Sequence, residues 1–453
     1  MIKDQRFLRY YEQELRFVRD MAGEFASEHA RVANRFGLDA DSCADPHVEW
    51  LLDGFAFLAA RVQQKLDGDY AVFTQHMLEM IYPDYLAPTP AAGIAALELA
   101  PDAPPMEAGF TIPRGARLQT GIVPGEASRC TFTTAQAVTV WPFELVEARY
   151  LTPTALAAMG VPGRAGVSFK LRSRAGAPFV SLSLDTLPLY LAGRDRVAHL
   201  LYEALVGHCV GVAGVLGGAA RGVLRLDGAV SRLGFAEDQA LLPQSPRGFS
   251  GYRLLREYFT LPERFLFVGI DGLLPLARRT QGRELEFVVL LDRFEPALDG
   301  AVTKGQFALF ATPIINLFPR RTKPILIEPQ DDQHHVVVDR ARHFDHEIFS
   351  IGRVTGFGAD GQEPVLFSPF YAVSAREPSG AGGYYTIERR PRLLGERERR
   401  ARAARSSYLG SEIWIELCNA AGGPLRQDLK RLDVEALVSN RDLPLHLPPG
   451  ELV

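Results

Sequence analysis

Asp45-Pro46-His47-Val48-Glu49 opens the stretch that decides the fold, and Leu51, Leu52, Phe55, Leu58, Val62 and Leu66 follow at helical spacing. An aspartate ahead of a proline is a helix start: the carboxylate caps free N–H groups, and proline occupies the first turn, where its missing N–H is not needed. With Val48, the apolar residues then hold one face for five turns. Upstream, Phe7, Tyr11, Leu15, Val18 and Phe25 recur at steps of three, four and seven, which predicts another amphipathic helix. Glu12 and Arg16 sit four apart on it in the favourable order for an exposed pair. Downstream, the pattern predicts a third, shorter helix over Tyr70 to Ile81, closed by Tyr82-Pro83, Pro88 and Pro90.

From about Ile94 the period changes from helical to alternating. Thr131 to Thr134, Val138 to Trp141, Val167 to Leu171, Val180 to Leu184, Glu284 to Leu291 and Glu412 to Leu417 read as strands between Gly, Pro and Asp turns. Helical patches interrupt them at Arg196 to Glu203 and at Tyr252 to Phe259. The aromatic-rich run from Tyr252 through Phe267 reads as core, with Phe265 and Phe267 on one face of a strand. The fold class is therefore α+β, with a helical N-terminal region followed by strand-rich mixed domains. The expected division is 1–90 helical, 91–245 strand-rich, 246–330 mixed and 331–453 strand-rich.

The 453 residues are 47% hydrophobic and 23% charged, an ordinary globular balance, and 41 glycines with 31 prolines suit many turns. A net charge of −4 does not point to nucleic acid or an anionic membrane as the main partner. The N-terminus lacks the apolar core of a signal peptide, and the most apolar stretch, Val210 to Ala220, is about half a bilayer span. Cys43, Cys130, Cys209 and Cys418 form no C-x-x-C and read as reduced thiols, so the cytoplasm is the expected location.

Tests for chemistry mostly fail. There is no phosphate-cradling Gly-x-x-x-x-Gly-Lys and no dinucleotide fingerprint. Ser250 in Gly248-Phe249-Ser250-Gly251-Tyr252 lacks the final glycine of a nucleophile elbow and reads as a turn before a helix. His334 and His335 adjoin a strand, where neighbours point to opposite faces, and His343-Phe344-Asp345-His346-Glu347 has Ser350 where a second zinc-binding histidine belongs. Structural polar residues suit these histidines better than a metal site. Between Arg389 and Arg405 eight arginines stand against Glu396 and Glu398. They read as a solvated loop or frayed helix, or as an anion or partner contact. The sequence thus implies no enzyme, no cofactor and no metal; a carbohydrate-active or metal-dependent hydrolase on the strand-rich domains is the alternative.

Several ordered motifs together resemble the TssF family, also called VasA or ImpG. Tyr10-Tyr11-Glu12, Glu14-Leu15, Phe17 and Arg19 resemble its opening, continued by Asp45-Pro46-His47-Val48-Glu49 and Ala56-Phe57-Leu58-Ala59-Ala60-Arg61. Leu78-Glu79-Met80-Ile81-Tyr82-Pro83, Gly248-Phe249-Ser250-Gly251-Tyr252 and Pro313-Ile314-Ile315-Asn316-Leu317-Phe318-Pro319 extend the likeness. So do Val336-Val337-Val338-Asp339-Arg340, Arg389-Arg390-Pro391-Arg392 and Ser439-Asn440-Arg441-Asp442-Leu443-Pro444. Trp50 and Asp84 depart from the pattern. The family usually continues beyond the final Leu447-Pro448-Pro449-Gly450-Glu451-Leu452-Val453, so a shortened C-terminal part is expected.

The resemblance implies a structural wedge component of the type VI secretion baseplate, similar to contractile-tail wedge proteins. It implies pairing with itself and assembly with TssG, TssE and TssK around the VgrG spike, where the contractile sheath is nucleated. It brings no catalytic activity or cofactor, and membrane contact only through the assembled apparatus. Phe7, Tyr10, Tyr11, Leu15 and Val18, with Arg389, Arg390 and Arg392, are the candidate partner interface.

Overall fold

The computed structural model describes residues 5–38, 45–100, 107–174, 178–193, 196–216, 222–226, 228–245, 248–328, 330–358, 363–370, 381–392, 406–419 and 429–448. The chain divides into two compact units, Met1–Leu86 and Ala87–Val453.

The first unit is helical. Helix α1 spans Gln5–Glu28, a single turn α2 spans Ala30–Ala33, and α3 spans Pro46–Ile81. Asp45 caps α3 by accepting a hydrogen bond from the His47 N–H at 2.8 Å, with Pro46 in the first turn, as the sequence predicts. The expected shorter helix over Tyr70 to Ile81 is not separate: α3 continues through Gly68 for 36 residues. A glycine inside a helix costs only about 1 kcal/mol relative to alanine, too little to break one held along its length by a neighbour. That neighbour is α1. Phe7 packs edge-on against Phe57 with ring centroids 5.1 Å apart, and the Tyr10 hydroxyl donates to Asp67 at 2.6 Å. Ala56 and Ala60, both buried, let α1 approach closely.

The second unit is built mainly of antiparallel sheets, with α4 (Pro153–Ala158), α5 (Arg196–Gly207), α6 (Ser250–Thr260) and α7 (Leu274–Arg279) between strands. A five-stranded sheet runs Gly222–Leu226, Cys209–Leu216, Glu284–Leu291, Ala165–Ser173, Phe143–Leu151. Its inner face meets a four-stranded sheet of Val230–Arg232, Phe267–Ile270, Leu187–Leu191 and Phe307–Leu309. Phe169 stacks on Phe287 at 5.2 Å and meets Phe307 edge-on at 4.9 Å in that core. Another sheet carries Ala92–Ala96, Ala311–Ile315, Arg129–Thr134 and Arg117–Ile122. The C-terminal sheet pairs Glu347–Phe357 and Phe318–Arg321 with Arg431–Ser439, and Ser411–Asn419 with Ala381–Pro391 and Gln333–Val336. Its core includes Val354, Ile415, Leu432 and Val434.

These pairings cross the expected segment boundaries. Glu284–Leu291 lies between two strands of the 91–245 segment, and Ala311–Ile315 does the same in its own sheet. Local periodicity identifies a strand without naming a partner more than a hundred residues away. Two local expectations also change. Val180 to Leu184 overlaps a short 3-10 turn, Phe179–Ser181, and holds no strand. Phe265 ends another such turn, Pro262–Phe265, so it does not share a strand face with Phe267.

Candidate functional site

Helix α3 has apolar side chains on opposite sides. One side turns Ala56 and Ala60 toward α1; the other presents Leu51, Phe55, Leu58, Val62, Leu66 and Phe73, each exposed. Leu51 is 73% exposed and Phe55 63%, and Met77 and Met80 extend the stripe. Soluble proteins carry isolated apolar side chains at the surface, but a continuous stripe is a different matter. Eight such side chains amount to on the order of 700 Å², above the roughly 300–600 Å² of the largest patch on a typical monomer. Burying them would be worth on the order of 10 kcal/mol before the costs of association. The sequence shows this stripe; it does not show that the stripe faces away from α1.

The residues selected from the sequence fall elsewhere. Phe7 is buried against Phe57, Tyr11 lies edge-on to the same ring at 6.5 Å, and Tyr10 is held by Asp67. Leu15 and Val18 are half-buried. Phe7, Tyr10 and Tyr11 join α1 to α3, beside but not on the outward stripe. Arg389 donates to the carbonyls of Ile348 and Phe349 at 2.9 and 2.8 Å. Arg390 pairs with Glu388 and lies over the Trp414 ring, and Arg392 donates to the His343 carbonyl at 3.0 Å. Arg389 and Arg390 therefore tie strands of their own sheet, and Arg392 ties the end of its strand to the turn that carries His343. The rest of the arginine-rich segment, 393–405, lies outside the described residues.

Helix α6 reverses the usual polarity. Arg253 and Glu257 face inward and are buried, while Tyr252, Leu255, Tyr258 and Phe259 face out, Phe259 with 79% of its surface exposed. The expectation that this aromatic run is core is thus overturned for α6, because an ion cluster takes the inner positions. Glu257 accepts from the Leu241 and Leu242 N–H groups at 2.8 and 3.0 Å, from Arg253 at 3.1 Å, and pairs with Arg264. Burial, with Arg253 and Arg114 nearby, pushes the Arg264 guanidinium down to about 10. Gly251 has a structural reason: a Cβ there would come within 2.5 Å of the Phe249 ring, which folds back over the helix start and meets Tyr252 edge-on. Ser250 begins a helix rather than a catalytic elbow.

His335, His343 and His346 line a cavity of about 250 Å³ with Asp339, Glu412 and Arg392, among others; His334 does not reach it. His334 is buried and His335, on the opposite strand face, stacks on Trp414 at 4.7 Å. Burial lowers both rings, opposed by Asp331 and Asp332 at His334 and by Glu412 at His335. His346 is pushed down to about 4 by burial and then by Arg320, whose Nη1 lies 2.8 Å from its Nε2. No group of three or more His, Cys, Asp or Glu side chains suited to a metal occurs among the described residues.

Comparison with known proteins gives this architecture its place. The family described as type VI secretion system TssF matches residues 3–452. This chain belongs to the TssF family. It is a structural component of the type VI secretion baseplate, with an α+β wedge-protein fold. Type VI secretion system component TssF1 of Pseudomonas aeruginosa is 46% identical over 454 residues, covering 98% of this chain and 72% of TssF1. A chain in the cryo-electron microscopy structure of a TssK–TssF–TssG baseplate subcomplex superposes with a TM-score of 0.67 at 26% identity. That match covers 86% of this chain and 68% of the other. Among the described residues, no helix is long and apolar enough to cross a membrane.

Proposed function

We propose that this TssF-family chain is a non-catalytic cytoplasmic wedge whose helical N-terminal unit receives a helix of a TssG-type partner on the outward face of α3. The carrying observation is the exposed stripe from Leu51 to Met80, opposite the face already used by α1. A solved relative assembled with TssK and TssG supports this choice of partners. Self-pairing and contacts with TssE, the VgrG spike and the sheath belong to the same reading. Within it, the α1 residues Phe7, Tyr10, Tyr11, Leu15 and Val18 position α3, and the Arg389, Arg390 and Arg392 sheet supports a separate contact surface.

Co-expression with the TssG-type protein tests it. Wild type is expected to co-purify with that partner, and Leu58→Asp to lose it at least tenfold while the far-ultraviolet circular dichroism is unchanged. Equal recovery of partner by Leu58→Asp, with the helices intact, would refute the assignment of this face.

A further inference from the structure

The outward stripe of α3 has a repeat of eleven residues, not seven. Leu51, Val62 and Phe73 are eleven apart; so are Phe55, Leu66 and Met77, and Leu58 and Met80 complete a third series through Asp69. Eight of these nine positions are apolar, and each of the eight is an exposed large hydrophobic. A heptad continued from Leu51 and Phe55 fails beyond Val62, reaching Lys65, Asp69 and His76. Eleven residues over three turns is 3.67 per turn, slightly above the 3.6 of a straight helix, whereas a heptad gives 3.5 and forces left-handed wrapping. A partner following this stripe therefore runs nearly straight along α3, with a slight right-handed wrap, for about 44 Å at 1.5 Å per residue.

The margins of the stripe are not neutral. At 100° per residue, Arg61 and Lys65 lie on the same side of the line through Leu58 and Val62, and both are exposed. Neither has an ion-pair partner among the described residues. The basic margin selects a partner with carboxylates beside its own apolar line.

We propose that the occupant of α3 is an amphipathic helix with an eleven-residue apolar repeat and an acidic margin facing Arg61 and Lys65. This rests on the reading of α3 as the partner face and specifies the chemistry and hand of what binds there. An acidic margin answers the two basic side chains, and the repeat matches the one α3 displays along its whole exposed length.

Single cysteines placed along residues 55–80 of the full chain, co-expressed with the TssG-type protein, test the repeat through alkylation by a maleimide. Protection is expected at positions 55, 58, 62, 66, 73, 77 and 80, with 76 and 79 remaining reactive. Protection that instead follows 58, 65, 72 and 79 would overturn the eleven-residue repeat while leaving α3 as the docking face. For the charge, Arg61→Glu with Lys65→Glu is expected to weaken partner recovery at least tenfold at low salt, with much of the difference lost at 0.5 M salt. Unchanged recovery by that double variant would overturn the acidic margin. If no position on α3 is protected although the partner co-purifies, the docking assignment itself falls.

Discussion

Asn316 and Asn440, 124 residues apart and both buried, exchange hydrogen bonds: the Asn316 side-chain amide donates to Asn440 Oδ1 at 2.9 Å, and the Asn440 backbone N–H donates to Asn316 Oδ1 at 2.6 Å. The pair also holds a strand of another sheet. Asn316 donates to the Thr131 carbonyl at 2.8 Å, and the Thr131 N–H donates to Asn440 Oδ1 at 2.8 Å. The two sheets also meet through Ile315, Leu317, Phe349 and Leu437, and the directional groups add register to that apolar contact, because a slip would strand several polar atoms. The next residue, Arg441, has a positive φ of 57°, an uncommon backbone state, and its N–H donates to Ser439 Oγ at 3.2 Å.

Asn316→Ala should therefore be more costly than its size suggests. It leaves the Thr131 carbonyl and the Asn440 N–H without their partners, and each unsatisfied buried group costs about 1–3 kcal/mol. The expected loss is about 3 kcal/mol, read as a lower denaturant midpoint. Adding Asn440→Ala should cost less than the sum of the single changes, because the two residues act as one network. Strict additivity would show that the pair is not coupled.

Glu257 is the centre of a second network, and here the charge dominates. Removing its charge leaves Arg253 and Arg264 buried with less compensation, a change that typically costs about 3–5 kcal/mol. Glu257→Gln should destabilise the second unit by about that amount and speed hydrogen exchange in α6 and at Leu241 and Leu242 before other regions. Exchange that rises uniformly instead would place the ion cluster outside the local anchoring of α6.

How much of this was legible in the sequence depends on the kind of pattern involved. The Asp45-Pro46 cap, the helical face of α3 and strands such as Glu284–Leu291 follow local rules of capping and periodicity, and the structure contains them. Which side of α3 faces α1 is not local: Leu51 and Ala56 compete, and close helix packing selects alanine. The same applies to α6, where hydrophobicity favours an aromatic core, but partners outside the helix, Arg264 and the Leu241 and Leu242 amides, fix its inner face. Asn316 and Asn440 stand in motifs named from the family likeness, yet their pairing depends on strands brought together across the chain. Phe7, Tyr11, Leu15 and Val18 form a stripe in the sequence, whereas the packing of Phe7 and Tyr11 on Phe57 depends on where α3 lies.

His346 should give the second unit a specific acid sensitivity. The unfolded imidazole takes a proton near 6.5, whereas the folded one, buried beside Arg320, resists until about 4. Asp345, Asp339 and the Arg342 carbonyl oppose that shift but do not cancel it. Between these values the unfolded state binds more protons, so stability falls as pH falls, by up to about 3 kcal/mol. Above about 6.5 this contribution is constant. Urea titrations from pH 7.5 to 4 should show a shallower decline for His346→Gln, which keeps a polar side chain but does not titrate. Parallel curves for the two proteins would remove His346 from the acid response.

The two sides of α3 should answer mutation oppositely. Ala60 is fully buried at the approach of α1, so Ala60→Leu inserts three carbons where the helices meet and should cost about 1–3 kcal/mol through overpacking. Leu58 is only two residues away but mostly exposed, so Leu58→Ala removes little that the isolated chain buries. Its stability, read from thermal melts by circular dichroism at 222 nm, should stay within about 0.5 kcal/mol of wild type, while Ala60→Leu melts earlier. In the presence of the partner the order should change: Leu58→Ala loses affinity because its side chain belongs to the docking face. Ala60→Leu should retain partner binding at temperatures where the hairpin remains folded. If Leu58→Ala destabilised the isolated chain as much as Ala60→Leu, the outward stripe would have to be covered already by the chain itself.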